Sequence, residues 1–222
     1  MAVLAIDTSA AIAVAVVSDG GEPLAQICID ERRRHAEQLA PMLSQVLADA
    51  GIDRFDLTGV VVGTGPAPFT GLRAGLVTAK SFAFALGIPV WGVPSIDALA
   101  QQAVTDLGLD DGAELLVATD ARRREVYWAR YRVLGQTVES LEGPAVAKPS
   151  ELAGTADVVI VGEGGQMYSD HLRLTDGAPL LPDPAVLARL AATRLAAGQD
   201  LPTEPLYLRR PDINEARTAA AR

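Results

Sequence analysis

The chain has 222 residues, and 49% of them are hydrophobic, which is enough for a substantial buried core. Its net charge of −9 argues against a protein that holds nucleic acid by itself, because phosphate contacts need a positive surface. A single cysteine excludes an internal disulfide framework and suits a reducing compartment. No apolar run reaches a membrane-spanning length, so we expect a cytoplasmic protein.

The first half of the chain alternates short apolar runs with helical patterns. Hydrophobic periodicity predicts the order β-β-β-α-β-α-β-α, with elements at about residues 2–6, 12–17, 24–29, 35–50, 59–63, 72–86, 90–93 and 95–105. Thr70 and Ser95 carry hydroxyl groups where helical patterns start, so we expect each to act as an N-cap. Gly51 follows the first helical stripe and is expected to end that helix.

The second half repeats this layout in a shorter form. Strands are predicted at residues 115–119, 126–133, 137–141 and 158–161, and helices at 149–153, from 165 to about 172, and at 184–197. We therefore divide the chain into an N-terminal lobe at residues 1–108, a smaller C-terminal lobe at 109–211 and a frayed tail at 212–222.

Each lobe begins with antiparallel strands and places an aspartate at its first turn, Asp7 in one and Asp120 in the other. This duplicated β-β-β-α-β-α topology is the layout of actin, sugar kinases and heat-shock ATPases. The sequence therefore predicts an α/β actin-like fold (ASKHA, ribonuclease H-like) with two lobes, the second of them reduced.

A Gly/Pro loop joins a strand to a helix within the stretch G-T-G-P-A-P-F-T-G-L-R-A-G-L-V-T-A-K at residues 63–80. A Walker loop would end in Gly-Lys-Ser/Thr, but residues 71–73 are Gly-Leu-Arg. Small residues recur at every fourth position, at Gly71, Gly75 and Ala79, and form a smooth helix face. We therefore interpret this stretch as a docking helix with its hinge rather than as a phosphate cradle.

The candidates for a nucleotide site lie at three turns and are Asp7, Thr8, Ser9, Asp120, Gly162 and Gly164. The first turn could offer hydroxyls and amides to phosphate oxygens, or its side chains could simply close the turn. Three arginines follow Asp120 where a glycine would let backbone amides approach a phosphate, which weakens the case for autonomous ATP hydrolysis. The two glycines could pack on adenosine, although a plain tight turn explains them better.

Metal binding has little support, because the two histidines, His35 and His171, are far apart and have no ligand four residues on. The sequence therefore predicts no metal site.

Five motifs occur in an order that closely resembles the TsaB family, also called YeaZ: residues 7–9, 35–37, 63–80, 120–127 and 207–209. The resemblance covers nearly the whole chain. It implies an actin-like protein needed to form the threonylcarbamoyl group on the adenosine beside the anticodon, in tRNAs that read codons starting with A. It further implies that this protein is not the catalyst, but pairs with the related enzyme TsaD, activates it and helps recruit the ATPase TsaE.

Comparison with the related enzyme TsaD indicates whether this chain could carry the same catalytic site. TsaD carries a metal-binding H-x-x-x-H pair, and on that pattern Ser95 and Leu99 stand where the two histidines would be. Because leucine does not coordinate metals, the resemblance implies a pseudo-enzyme subunit that requires no cofactor of its own. ATP would then belong to the assembled complex.

We expect the first two helices to form the surface that contacts TsaD, through His35, Leu39, Met42, Leu43, Leu72, Gly75, Leu76 and Ala79. The plainer interpretation is that these apolar stripes cover the sheet, and part of each must do so. The same surface could form a homodimer when TsaD is absent. Two arginine clusters, at residues 32–34 and 122–124, suggest contact with tRNA in the complex.

The alternative class is a small actin-fold ATPase or kinase with its own nucleotide site. Asp7 and Asp120 at equivalent turns favour it, and the missing glycine after Asp120 and the short second lobe oppose it.

Overall fold

Two β-sheets form the framework of the molecule. The computed structural model describes residues 2–30, 35–155 and 158–209. The first sheet has the order β3-β2-β1-β4-β5, formed by β1 (Ala2–Asp7), β2 (Ile12–Ser18), β3 (Pro23–Ile29), β4 (Leu57–Gly63) and β5 (Val90–Val93). The second has the order β8-β7-β6-β9, formed by β6 (Glu114–Asp120), β7 (Val126–Leu134), β8 (Thr137–Ala147) and β9 (Val159–Val161).

The two sheets share one topology. In each, three consecutive strands pair antiparallel, and a later strand pairs parallel with the first of them. The connection to that later strand contains α1 in the first sheet and, among the described residues, only a short 3₁₀ turn in the second. The second sheet lacks a fifth strand among the described residues, as expected for a reduced copy. This duplication confirms the predicted α/β actin-like fold.

Five α-helices connect and cover the sheets within the described ranges: α1 (His35–Ala50), α2 (Phe69–Leu86), α3 (Ser95–Leu107), α4 (Glu163–Met167) and α5 (Pro184–Ala196). Short 3₁₀ turns lie at Arg54–Asp56 and Pro149–Glu151. None of these helices combines the length and apolarity that crossing a membrane requires, in the part of the chain that the structure describes.

The order of elements predicted from the sequence is confirmed, with differences at several ends. β8 continues to Ala147 rather than to residue 141, and α4 ends at Met167 rather than near residue 172. The expected N-caps are wrong: α2 begins at Phe69 after Pro68, and α3 begins at Ser95 itself after Pro94. Neither helix has a side-chain cap, because a proline stands at each N-cap position. The Ser95 hydroxyl bonds to a distant carboxylate instead.

The helices form layers around the two sheets. One face of the first sheet packs against α1 and α2 in an aliphatic core. Its other face, which includes Ala5, Ala15 and Val61, packs against α5. The apolar side of α3 packs on the second sheet, and α3 also contacts α5. Helices α3 and α5 therefore lie between the sheets and bury one face of each.

A polar cluster ties this central layer together. The Tyr131 hydroxyl donates to Asp97 Oδ1 at 2.7 Å, and Arg194 Nη2 donates to Asp97 Oδ2 at 2.7 Å. These bonds join β7 to α3 and α3 to α5. Burial, together with the nearby Asp97 carboxylate, raises the pKa of the Tyr131 hydroxyl above its usual range, so Tyr131 remains a donor.

The division of the chain into two lobes, with a boundary at residue 108, stays a prediction. The predicted tail at residues 212–222 lies outside the described residues.

Candidate functional site

The first hairpin turn, after β1, holds a buried carboxylate. Asp7 is 1% exposed, and its Oδ1 accepts from the Ser9 amide at 2.8 Å and the Ser9 hydroxyl at 2.6 Å. Its Oδ2 accepts from the Ser95 hydroxyl at 2.5 Å. Burial raises the pKa of the Asp7 carboxyl, and the bonds from Ser9 and Ser95 oppose that rise. The side chain is thus committed to donors within the protein.

Two glycines allow this turn to be enclosed. A Cβ atom on Gly63 would lie 1.9 Å from Asp7 Oδ2, and one on Gly75 would lie 2.3 Å from Thr8 Oγ1. The Thr8 hydroxyl also donates to the Gly71 carbonyl at 2.9 Å. The small-residue face of α2 is therefore a packing seam, and what it packs against is the first hairpin turn.

The Gly/Pro loop between β4 and α2 also uses its amides internally. The Thr64 amide donates to the Val93 carbonyl at 2.8 Å, and the Gly65 amide donates to the Ser95 hydroxyl at 3.2 Å. A phosphate cradle needs free amides that converge on one point. Two of the loop amides are already bonded, which agrees with the interpretation that this loop is not a phosphate cradle.

The second hairpin turn, after β6, is open on its outer side. Asp120 is 6% exposed, and its Oδ1 accepts from the Arg122 amide at 2.8 Å. Arg122, Arg123 and Arg124 follow in the left-handed region, with φ of 62°, 55° and 61°, and all three are exposed. We call these three residues the arginine turn.

The glycines proposed to pack on adenosine lie against a strand. A Cβ atom on Gly162 would lie 2.4 Å from the Ala118 carbonyl oxygen, and one on Gly164 would lie 2.9 Å from the same oxygen. Both glycines are buried. They have a packing role beside β6, and a nucleotide role for them, as for the residues of the two turns, stays a prediction.

The side chains predicted to face a partner are buried in the core of this chain, as the plainer interpretation expects, and their role at a partner interface stays a prediction. Seven of them pack between the helices and the first sheet: Leu39, Met42, Leu43, Leu72, Gly75, Leu76 and Ala79. The backbone of His35 starts α1, and its side chain lies outside the described residues. The Arg32–Arg34 cluster also lies outside them.

Different residues of α2 face solvent. Val77 is 62% exposed and Phe84 is 89% exposed, seven residues apart on one side of the helix. On α1, the small residues Ala40, Ser44 and Ala48 are also exposed, and they recur at every fourth position. The sequence analysis missed Val77 and Phe84, although their spacing of seven residues, about two helical turns, was a usable signal.

Metal ligands do not come together. Within residues 2–30, 35–155 and 158–209, no group of three or more His, Cys, Asp or Glu side chains could hold a metal ion. Leu99 is fully buried in the core over the second sheet, and Ser95 is bonded to Asp7.

Comparisons with known proteins identify the family of the chain. The family model described as TsaD, tRNA N6-adenosine threonylcarbamoyltransferase, matches residues 26–174. The TsaB protein of Escherichia coli K12 is 32% identical over 225 residues, covering 94% of this chain and 95% of that protein. The chain belongs to the TsaB (YeaZ) family. Its relatives with this name are tRNA threonylcarbamoyladenosine biosynthesis proteins, so it belongs to a family of that pathway.

A solved structure and a mycobacterial relative extend the match. A Pseudomonas aeruginosa protein, described as similar to the peptidase YeaZ, superposes with a TM-score of 0.79 at 31% identity, covering 94% of this chain and 99% of that one. An uncharacterized protein of Mycobacterium leprae is 40% identical over 214 residues. Those residues are 95% of this chain but 55% of that protein, so the TsaB-family chain spans about half of that relative.

Proposed function

We propose that this TsaB-family chain is a non-catalytic subunit that binds and activates TsaD through the exposed face of α1 and α2. The observation that carries the proposal is the exposure of Val77 and Phe84 on α2, 62% and 89% respectively. Large apolar side chains grouped on one helix face are typical of protein-binding surfaces. We call this surface, formed by Ala40, Ser44, Ala48, Val77 and Phe84, the helical face.

The inner side of the same helices explains why this face can be rigid. Leu72 and Leu76 fix α2 on the first sheet, and Gly75 lets the helix approach the Thr8 side chain. A partner would therefore meet a preorganised surface and would not have to order it, which favours affinity. Because TsaD is a relative of this chain, a pair in which both proteins use related helices is the arrangement we favour. In the absence of TsaD, a second copy of the chain would meet the same face.

Two features support a role without catalysis. Leu99, at one of the positions that resemble metal-binding histidines of TsaD, is buried among apolar side chains. Ser95, at the other, bonds to Asp7 rather than facing a cleft. On the same reasoning, recruitment of TsaE and any binding of ATP would be properties of the assembled complex.

An ATPase or kinase remains the second candidate, because Asp7 and Asp120 do lie at equivalent strand ends. The enclosure of Asp7 opposes this candidate, since its two oxygens already accept three protein donors.

The test is a binding titration of TsaD with the double variant Val77→Asp, Phe84→Asp. We expect at least about 100-fold weaker binding, because two charges would have to be desolvated at the centre of the interface. The fold should be unchanged, because both side chains are exposed. Leu134→Asp is the matched control, since Leu134 is 47% exposed but lies at the end of β7. Wild-type affinity in a folded double variant would refute the helical face as the TsaD-binding surface.

A further inference from the structure

The segment at residues 201–209, which follows α5, joins the two sheets, and we call it the clasp. It contains no helix or strand of its own. Hydrogen bonds, a ring contact and an ion pair nevertheless hold it at four points. Three of these points lie on elements of the first sheet, and the fourth lies on the hairpin turn after β6 in the second.

The clasp begins at the edge of the first sheet. The Leu201 carbonyl accepts from the Gly92 amide of β5 at 3.0 Å, and Leu201 is buried among apolar side chains. A Cβ atom on Gly92 would lie 2.1 Å from the Pro202 carbonyl oxygen, so the two backbones approach to a distance that glycine permits. This end of the clasp is therefore fixed by the sheet and its core.

Two contacts hold the middle of the clasp on the Gly/Pro loop and on α2. The Leu206 amide donates to the Thr64 carbonyl at 2.9 Å. Tyr207 packs on Phe69 with the ring centres 4.9 Å apart, and its hydroxyl accepts from Arg73 Nε at 2.8 Å. The Arg73 guanidinium also lies 3.5 Å from the centre of the Phe69 ring. The clasp is thus attached to the first sheet over most of its length.

The last residue of the clasp reaches the second sheet. Arg209 Nη1 donates to the Ala121 carbonyl at 2.7 Å, and the Arg209 guanidinium forms an ion pair with Glu125. Ala121 and Glu125 close the hairpin turn, because the Ala121 amide donates to the Glu125 carbonyl at 3.0 Å. The Arg209 and Glu125 side chains are 24% and 27% exposed, so this attachment is accessible to water and salt.

The two sheets also meet through the layer formed by α3 and α5. Tyr131 of β7 and Arg194 of α5 both bond to Asp97 of α3, and the two helices bury one face of each sheet. The clasp attaches elsewhere, at the loops that follow β4 and β6. Two bodies joined by one packed layer and by a separate contact can turn about the layer when that contact is released.

We propose that the clasp is a conformational switch, which stays fixed on the first sheet and closes on the second through Arg209. Release of Arg209 lets the two sheets turn about the layer of α3 and α5. The unequal attachments carry the proposal, because three involve the first sheet and the contact with the second is made by the Arg209 side chain at the end of the clasp. The proposal gives a role to residues 207–209 and does not depend on binding to TsaD.

The test measures the distance between the two sheets with a pair of spin labels. Cys28 is the only cysteine and is exposed on β3, and Leu134→Cys at the end of β7 supplies the second labelling site. With the clasp intact we expect one narrow distribution of distances. The further substitution Arg209→Ala should make the distribution at least about twice as broad, because the sheets then sample more than one angle.

Salt provides an independent measurement that leaves the clasp unaltered. At 1 M KCl the Debye length falls to about 3 Å, so the pair between Arg209 and Glu125 should weaken and the distribution should broaden. The distribution of Arg209→Ala should change little with salt. Arg209→Lys keeps the charge and should stay closer to the protein with an intact clasp. Arg173→Ala is the matched control, because it removes an exposed arginine elsewhere and should leave the distribution narrow.

A distribution that stays narrow in Arg209→Ala and at high salt would overturn the proposal, because the layer of α3 and α5 would then be sufficient to hold the sheets. Equal broadening in Arg173→Ala would also overturn it, because the effect would not belong to the clasp. The salt series decides the question if Arg209→Ala does not fold.

Discussion

The two hairpin turns, after β1 and after β6, start from the same local structure and end differently. In each, a buried aspartate accepts from the amide two residues later, at 2.8 Å from Ser9 to Asp7 and 2.8 Å from Arg122 to Asp120. Beyond that bond, the first turn is enclosed by α2 and α3, whereas the second exposes three arginines.

The elements that follow each hairpin account for this difference. The first sheet is followed by two long helices, and Gly75 of α2 and Ser95 of α3 contact the first turn. In the second lobe the corresponding helix, α4, has only 5 residues and packs on β6 through Gly164. The turn after β6 is thus left exposed, with Arg122, Arg123 and Arg124 facing solvent. One duplicated motif serves as internal scaffolding in one copy and as an exposed charged surface in the other.

The enclosed turn should not accept added volume. Gly63→Ala would place a methyl group 1.9 Å from Asp7 Oδ2 and 2.6 Å from Ser95 Oγ, so one of these buried groups must move. We expect a loss of about 3 kcal/mol in the free energy of unfolding, measured by urea denaturation.

Gly20→Ala is the control, because its added Cβ would meet only Ser18 Oγ, at 3.7 Å. The cost of Gly63→Ala should also be smaller in an Asp7→Ala background, as a double-mutant cycle would reveal. Equal stability of Gly63→Ala and the wild type would mean that the first turn is not enclosed as described.

The buried carboxylate should make the stability of the enclosed turn depend on pH. The pKa of Asp7 is raised above 3.8 in the folded state, so the folded protein holds this proton at higher pH than the unfolded chain does. Its protonation stabilises the fold below the unfolded pKa, and this contribution disappears as the pH rises through the folded pKa. We therefore expect Asp7→Asn to gain stability relative to the wild type as the pH rises from about 3.8, by about 1.4 kcal/mol for each unit of pKa elevation.

Urea denaturation of both proteins across a pH series measures this difference and cancels the contribution of other groups. Ser9→Ala sharpens the test, because it removes the hydroxyl donor, which lowers the Asp7 pKa, and should shift the transition to higher pH. If the stabilities of the wild type and Asp7→Asn changed in parallel with pH, the pKa of Asp7 would not be raised in the folded protein.

Local patterns in the sequence were sufficient for the order of the elements but not for the contacts of the turns. The Ser95 hydroxyl stood at a helix start and suggested a cap, yet its acceptor, Asp7, is 88 positions away. Similarly, α2 is apolar on two sides, with Leu72 and Leu76 on one and Val77 and Phe84 on the other. Periodicity alone does not decide which of two apolar sides packs on the sheet, and the side that carries Leu72 and Leu76 is the one that does.

The second hairpin turn, after β6, should tolerate the loss of a side chain, whereas the enclosed first turn should not tolerate the addition of one. Arg124→Gly removes the steric penalty of φ at 61°, and glycine adopts this conformation freely. We expect the free energy of unfolding to rise by about 1 kcal/mol, less than the full penalty because glycine also has more freedom in the unfolded chain. Urea denaturation measures this change.

Arg173→Gly is the control, since Arg173 is exposed but has no positive φ. Its free energy of unfolding should fall by a few tenths of a kcal/mol. If Arg124→Gly is destabilised as much as Arg173→Gly, the positive φ of Arg124 stores no strain.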